Sequence, residues 1–127
     1  MTHRIKFRVY YEDTDAGNVV FYGNYLKFAE RARTEWLRDL GFNQSNLDIL
    51  FVVRKVEVEY LHPARLDDEI TVETSLQNMS RASITLTQNF YLGSKELTKM
   101  NVVLVCVSKE IKPVSIPEEI KEKINGN

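Results

Sequence analysis

The residues best suited to chemistry lie close together near the start of the chain. Asp13 and Asp15 fall within Asp13-Thr14-Asp15-Ala16-Gly17-Asn18, a run whose Asp, Gly and Asn content marks a tight turn. It leads into Val19-Val20-Phe21-Tyr22-Gly23-Asn24-Tyr25, where an apolar pattern at helical spacing begins. The first N–H groups of a helix lack intrahelical acceptors and favour negative charge. A loop carboxylate beside such a tip could attack a carbonyl as nucleophile, or activate water as general base. The tip would meanwhile hold the developing oxyanion. The same spacing also fits two aspartates that only stabilise a turn, with Phe21, Tyr22 and Tyr25 as ordinary packing. Both readings stand on spacing alone.

Other chemistries find less support. A serine or cysteine hydrolase needs a histidine base. The chain has only His3 and His62, Cys106 sits inside an apolar run, and no nucleophile-elbow motif is present. Read as a calcium loop, Asp13-x-Asp15 would require Gly and Glu where Asn18 and Asn24 stand. Gly17 and Gly23 are not followed by the Gly-Lys-Ser/Thr ending of a phosphate loop. Two histidines and one cysteine, far apart, make a dedicated zinc site unexpected. No metal and no cofactor is therefore expected.

Length and composition set the frame for these residues. A chain of 127 residues fits one domain, 1–127. Hydrophobic content of 43% and charged content of 28% are those of an ordinary globular protein. A net charge of -1 gives no whole-molecule attraction for nucleic acid or an anionic membrane, so an anionic ligand would need a local basic cluster. No apolar signal core precedes Arg4. The longest apolar run, Val102 to Val107, is too short to cross a bilayer. A single cysteine cannot form an internal disulfide, so a cytoplasmic location is expected.

Five strands and one main helix must position the site. Arg4 to Tyr11 alternates through Ile5, Phe7 and Val9 and reads as a strand. Tyr25, Phe28, Ala29, Ala32, Trp36, Leu37 and Leu40 form a helical stripe, with Asn24 as N-cap and Gly41 as stop. That helix should be about 24 Å long. Val52 to Leu61 alternates until His62-Pro63-Ala64 breaks it, and Glu69 to Gln77 and Ala82 to Leu92 follow the same rule, with a turn at Gly93-Ser94-Lys95. Val102 to Val107 is apolar on both faces, as a central strand covered on both sides would be. Ser115 and Glu118 read as a capping box before a short terminal helix. Successive strands with short links imply an antiparallel sheet, and the helix must bury its stripe against it, an α+β arrangement.

The block Asp13 to Tyr25, followed by Glu30-Arg31-Ala32-Arg33-Thr34-Glu35, resembles the signature of the hotdog-fold acyl-CoA thioesterases. It is most like the subgroup encoded beside the Tol–Pal system, and more distantly like 4-hydroxybenzoyl-CoA thioesterase. The likeness continues through Tyr60-Leu61-His62-Pro63-Ala64-Arg65 with Asp68, and through Ser80-Arg81-Ala82-Ser83 with Gln88. It covers nearly the whole chain in the expected order. It implies one long central helix wrapped by a five-stranded antiparallel sheet, and hydrolysis of an acyl-CoA or acyl-carrier thioester. It also implies Asp15 as the catalytic carboxylate, and the Tyr22 backbone N–H as the group that contacts the thioester carbonyl. Arg81 matches a position close to the CoA phosphates, and Ser83 is a weaker candidate beside it. The active site would lie between subunits of a dimer or tetramer.

Two positions depart from the pattern. Asn18 stands where many relatives carry Gly, and Asn tolerates left-handed angles. Tyr22 stands where the nearest subgroup often has His, a change to which a backbone role is insensitive. A hydratase or dehydratase of the same fold is expected to need a His–Asp pair, and this segment has no His. A module that binds its thioester without turnover would use the same pocket.

Overall fold

Alternating apolar residues at period two build most of this molecule, and one stripe at period 3.6 supplies its main helix. The computed structural model describes residues 2–126. In chain order the elements are β1 (Thr2–Arg8), a 3-10 turn (Tyr11–Asp13), α1 (Asn24–Asp39), a 3-10 turn (Gln44–Asn46), β2 (Ile49–Tyr60), β3 (Glu69–Met79), β4 (Ser83–Leu92), β5 (Lys95–Ser108) and α2 (Glu118–Asn125). All five strands join one antiparallel sheet in the order β1-β3-β4-β5-β2. The class is α+β, as expected.

α1 has 16 residues and buries Tyr25, Phe28, Ala29, Ala32, Trp36 and Leu37. These meet the inward residues of the sheet, among them Ile70, Val72, Ile84, Leu86, Phe90, Met100 and Val102, all essentially without solvent contact. The Phe7 and Phe28 rings stack at 5.6 Å, and Tyr25 meets the Phe90 ring edge-on at 5.5 Å. One polar group lies deep in this layer. Gln88 is fully buried; its amide nitrogen donates to the Ala29 carbonyl and to Thr74 Oγ1, both at 3.0 Å, and its oxygen accepts from Arg33 at 2.9 Å. It ties α1 to β3 and β4 by direct bonds. Burial holds the Arg33 guanidinium below its ordinary pKa.

Several local expectations are corrected. The first strand ends at Arg8 rather than Tyr11. The backbone of Val9 instead bonds to Asp67 and Asp68, and the Tyr10 N–H donates to the Asp13 carboxylate at 2.8 Å. Gly23, not Asn24, is the N-cap of α1; the Asn24 side chain points to Asp13. The strand with apolar residues on both faces is interior to the sheet, but within the chain its outer face is fully covered only at Val107. Val102, Leu104 and Cys106 are buried, while Val103 and Val105 on the outer face are half-buried. The expected capping box also fails: Pro117 precedes α2 without a side-chain cap, and Ser115 Oγ accepts from Arg81 at 2.7 Å instead. Gly41 does end α1, with φ at 98°.

Candidate active site

The two aspartates of the loop have opposite environments. Asp13 is buried, and its carboxylate accepts from Tyr10 N–H at 2.8 Å and Asn24 Nδ2 at 2.9 Å. Its carbonyl accepts from Phe21 N–H at 2.9 Å. Asp13 thus pins the loop to the first helical residue, which is a structural task. Asp15 is exposed, and its Oδ1 accepts from Gly17 N–H at 2.8 Å.

The loop from Thr14 to Val20 is a narrow hairpin. Asp15 N–H donates to Val19 carbonyl at 2.9 Å, Asn18 N–H donates to Asp15 carbonyl at 3.0 Å, and Thr14 bridges Val20. Asn18 takes φ of 64°, the left-handed residue that such a turn needs and that Asn adopts more easily than most. At Gly17, an added Cβ would come within 3.2 Å of Asp15 Oδ1. The absence of a side chain there lets the carboxylate fold back onto the backbone. Val20 N–H donates to Ala64 carbonyl at 2.8 Å, and Val19 bridges Arg65. The loop is thereby sewn to the segment that follows β2.

At the helix tip the N–H groups of Tyr22 and Gly23 have no hydrogen-bond acceptor among the described residues. Beside them lies a cavity of about 240 Å³ lined by Val20, Tyr22, Tyr25, Tyr60, Leu61, His62 and Pro63. Its aromatic wall is ordered: Tyr60 meets Tyr25 at 5.6 Å and Tyr22 at 6.3 Å, both edge-on. Ala64 N–H donates to the Tyr25 hydroxyl at 3.2 Å, and the Tyr60 hydroxyl donates to the Tyr22 carbonyl at 2.9 Å. Burial raises the pKa of both phenols above its ordinary value. A carbonyl placed at the helix tip, beside this cavity, would meet free backbone donors at the positive end of α1.

Tyr22 therefore stands at the mouth of a cavity, and Asp15 stands on the hairpin that leads to it. Arg81 and Ser83 do not join them. Arg81 lies just before β4 and Ser83 opens it, near the C-terminal half of α1, where Ile84 lines a second cavity with Trp36 and Leu37, whereas the far end of the strand places Phe90 against Tyr25. The 10 residues of β4 span about 30 Å. Arg81 is bonded to Ser115, and Ser83 Oγ lies 2.6 Å from Ser80 Oγ. Sequence reasoning gave no separate role to Tyr60, which comes from a strand end 38 residues away from Tyr22. Its signals were its place in the family-like block Tyr60 to Arg65 and an aromatic ring two residues before the break at His62-Pro63. Among the described residues no three His, Cys, Asp or Glu side chains gather as a metal site, and no helix is long and apolar enough to cross a membrane.

An antiparallel sheet carrying one amphipathic helix, with unpaired N–H groups at that helix's tip and a carboxylate hairpin before it, is a scaffold for acyl chemistry. The chain belongs to the thioesterase superfamily, whose model matches residues 17–99. It is 44% identical over 119 residues to the acyl-CoA thioesterase YbgC of Haemophilus influenzae, covering 90% of this chain and 88% of that protein. To the acyl-CoA thioester hydrolase YbgC of Escherichia coli O157:H7 it is 45% identical over 118 residues, covering 89% and 88%. The crystal structure of a probable thioesterase from Bartonella henselae superposes with a TM-score of 0.90 at 34% identity, over 92% of this chain and all of that one. The chain is thus an enzyme that hydrolyses thioesters.

Proposed function

We propose that the substrate is an acyl-CoA or a related acyl-carrier thioester, and that Asp15 is the catalytic carboxylate. The observation that carries this reading is the pairing of an exposed carboxylate, on a hairpin sewn to the helix entry, with unpaired Tyr22 and Gly23 N–H groups beside an aromatic cavity. The Gly17 N–H engages one carboxylate oxygen and fixes its direction; the other is left for the reactant. The thioester carbonyl oxygen would accept from the Tyr22 N–H, and the negative charge formed on attack would sit at the helix tip. Asp15 then either attacks the carbonyl carbon, expelling the thiolate and leaving an acyl–Asp anhydride for water to open, or takes a proton from the water that attacks. Neither route calls on a cofactor or a metal.

The placement of Arg81 bears on assembly. CoA carries its phosphates far from its thioester, and a chain of net charge -1 needs a local cation to hold them. Arg81 fits that task chemically, with Ser83 beside it, but lies the length of β4 away from the helix tip in its own chain. A second copy in antiparallel orientation would bring its Arg81 towards the first copy's Asp15, so we place the complete site between subunits of a dimer, itself able to pair into a tetramer. We read the sheet and α1 together as a hotdog fold with α1 as its central helix, working in the cytoplasm without nucleic acid or membrane insertion.

The test is release of free thiol from a panel of acyl-CoA and acyl-carrier thioesters. Wild-type protein should turn over, and Asp15→Asn should lose at least about 100-fold in kcat, the scale of a positioned acid–base group. Unchanged turnover in Asp15→Asn would remove Asp15 from the mechanism.

A further inference from the structure

We propose that Tyr60 is a positioning residue: its hydroxyl fixes the plane of the Tyr22–Gly23 peptide and so presents the Gly23 N–H, alongside that of Tyr22, to the thioester carbonyl. The inference rests on the reading of the helix tip given above.

Tyr60 closes β2, and its hydroxyl donates to the Tyr22 carbonyl at 2.9 Å. That carbonyl and the Gly23 N–H belong to one planar amide, pointing in opposite directions. A bond that holds the carbonyl therefore aims the N–H. No backbone N–H of the described residues beyond the regular helix bonds takes that carbonyl, whereas the neighbouring Phe21 and Gly23 carbonyls accept from Asn24 and Leu26. The first peptide of the tip is thus held from outside the helix, by a side chain.

The position needs such a hold. Gly23 is the N-cap residue, at φ of -70° and ψ of -19°, angles that any residue could adopt. A Cβ there would lie 2.8 Å from the ring of Phe21, a half-exposed side chain that would have to turn aside. Glycine also frees the backbone to swing, and a swinging donor loses the preorganisation that oxyanion stabilisation depends on. Tyr60 offsets that freedom. Its ring is in turn fixed edge-on against Tyr25 and Tyr22, and Tyr25 is anchored by the Ala64 N–H. A hydrogen bond accepted at the carbonyl also polarises the amide, strengthening its N–H as a donor. A tyrosine phenol is protonated at neutral pH, so the bond is available where the enzyme works.

Tyr60→Phe removes one oxygen and keeps the ring contacts, which makes it the informative variant. Two readouts are combined: kcat and KM for thiol release from acetyl-CoA, butyryl-CoA and benzoyl-CoA, and the amide proton of Gly23 in a nitrogen-15 correlation spectrum. The expected result is a kcat lower by about tenfold with KM within about twofold, together with an upfield shift and faster exchange of the Gly23 amide proton while core amides stay put. A side chain that merely supported the fold would shift amides broadly and leave kcat near wild type. An unmoved Gly23 resonance, or a kcat equal to wild type, overturns the inference. If the wild-type protein releases no thiol from any thioester, the catalytic reading itself falls; the Gly23 resonance then decides on its own whether Tyr60 fixes this peptide.

Discussion

Two aspartates separated by one residue, of the same type and in the same turn, do different work because of what surrounds them. Asp13 is buried and satisfies two donors, one before it in the chain and one at the start of α1. Asp15 is exposed and bonded to its own turn. Replacing Asp13 by Ala would strand the Tyr10 N–H and the Asn24 amide in a poorly solvated place, at a cost of about 2 kcal/mol. Urea unfolding of Asp13→Ala should show a lower midpoint by that measure, with activity lost only as far as the loop loosens; a midpoint equal to wild type would show that Asp13 does not anchor the hairpin. Residue type and spacing singled out both without ranking them, and only the family resemblance pointed to Asp15. The ranking depends on Tyr10 and Asn24 closing over Asp13, which is an outcome of the fold.

At the level of elements, the join between helix and sheet runs through Gln88. Its amide bonds the Ala29 carbonyl of α1, Thr74 of β3 and the Arg33 guanidinium. A leucine of similar size would leave a half-buried cation and two acceptors without this partner. Gln88→Leu should destabilise by roughly 3 kcal/mol, read as an earlier urea midpoint with an unchanged slope; a neutral effect would mean that water replaces the lost bonds. Strand and helix identities were legible because period-two and period-3.6 patterns follow from side-chain direction alone. Ends were less legible. β1 stops at Arg8 because Asp13 captures the Tyr10 N–H, and the segment before α2 takes its shape from Arg81 reaching Ser115. Such competing side-chain bonds come from residues that periodicity does not weigh.

For the whole molecule, the distance between Arg81 and the helix tip sets the prediction. If one site draws Asp15 from one subunit and Arg81 from another, a chain carrying Asp15→Asn and a chain carrying Arg81→Ala repair each other. Mixed after unfolding and refolding together, half of the dimers are hybrids with one intact site each, giving about a quarter of wild-type thiol release. Each variant alone should be slow with acyl-CoA at low substrate concentration, Asp15→Asn through kcat and Arg81→Ala through KM. No recovery on mixing would place both groups within one chain's site or remove Arg81 from it. Sedimentation of the wild-type protein checks the same picture, since a monomer at working concentration would rule out a shared site.

What the amino-acid order settled by itself was local. The left-handed backbone at Asn18, the helix stop at Gly41, the alternation of the strands and the stripe of α1 each depend on a residue and its near neighbours. The family block around Asp15 and Tyr22 was legible for the same reason, being continuous in the chain. Only the tertiary structure decided which aspartate is buried, that Tyr60 grips the Tyr22 carbonyl, and that Arg81 stands at the far end of β4 from the tip. Those facts depend on strand register and on how a helix settles over a sheet, where residues distant in sequence compete for the same donors and the same space.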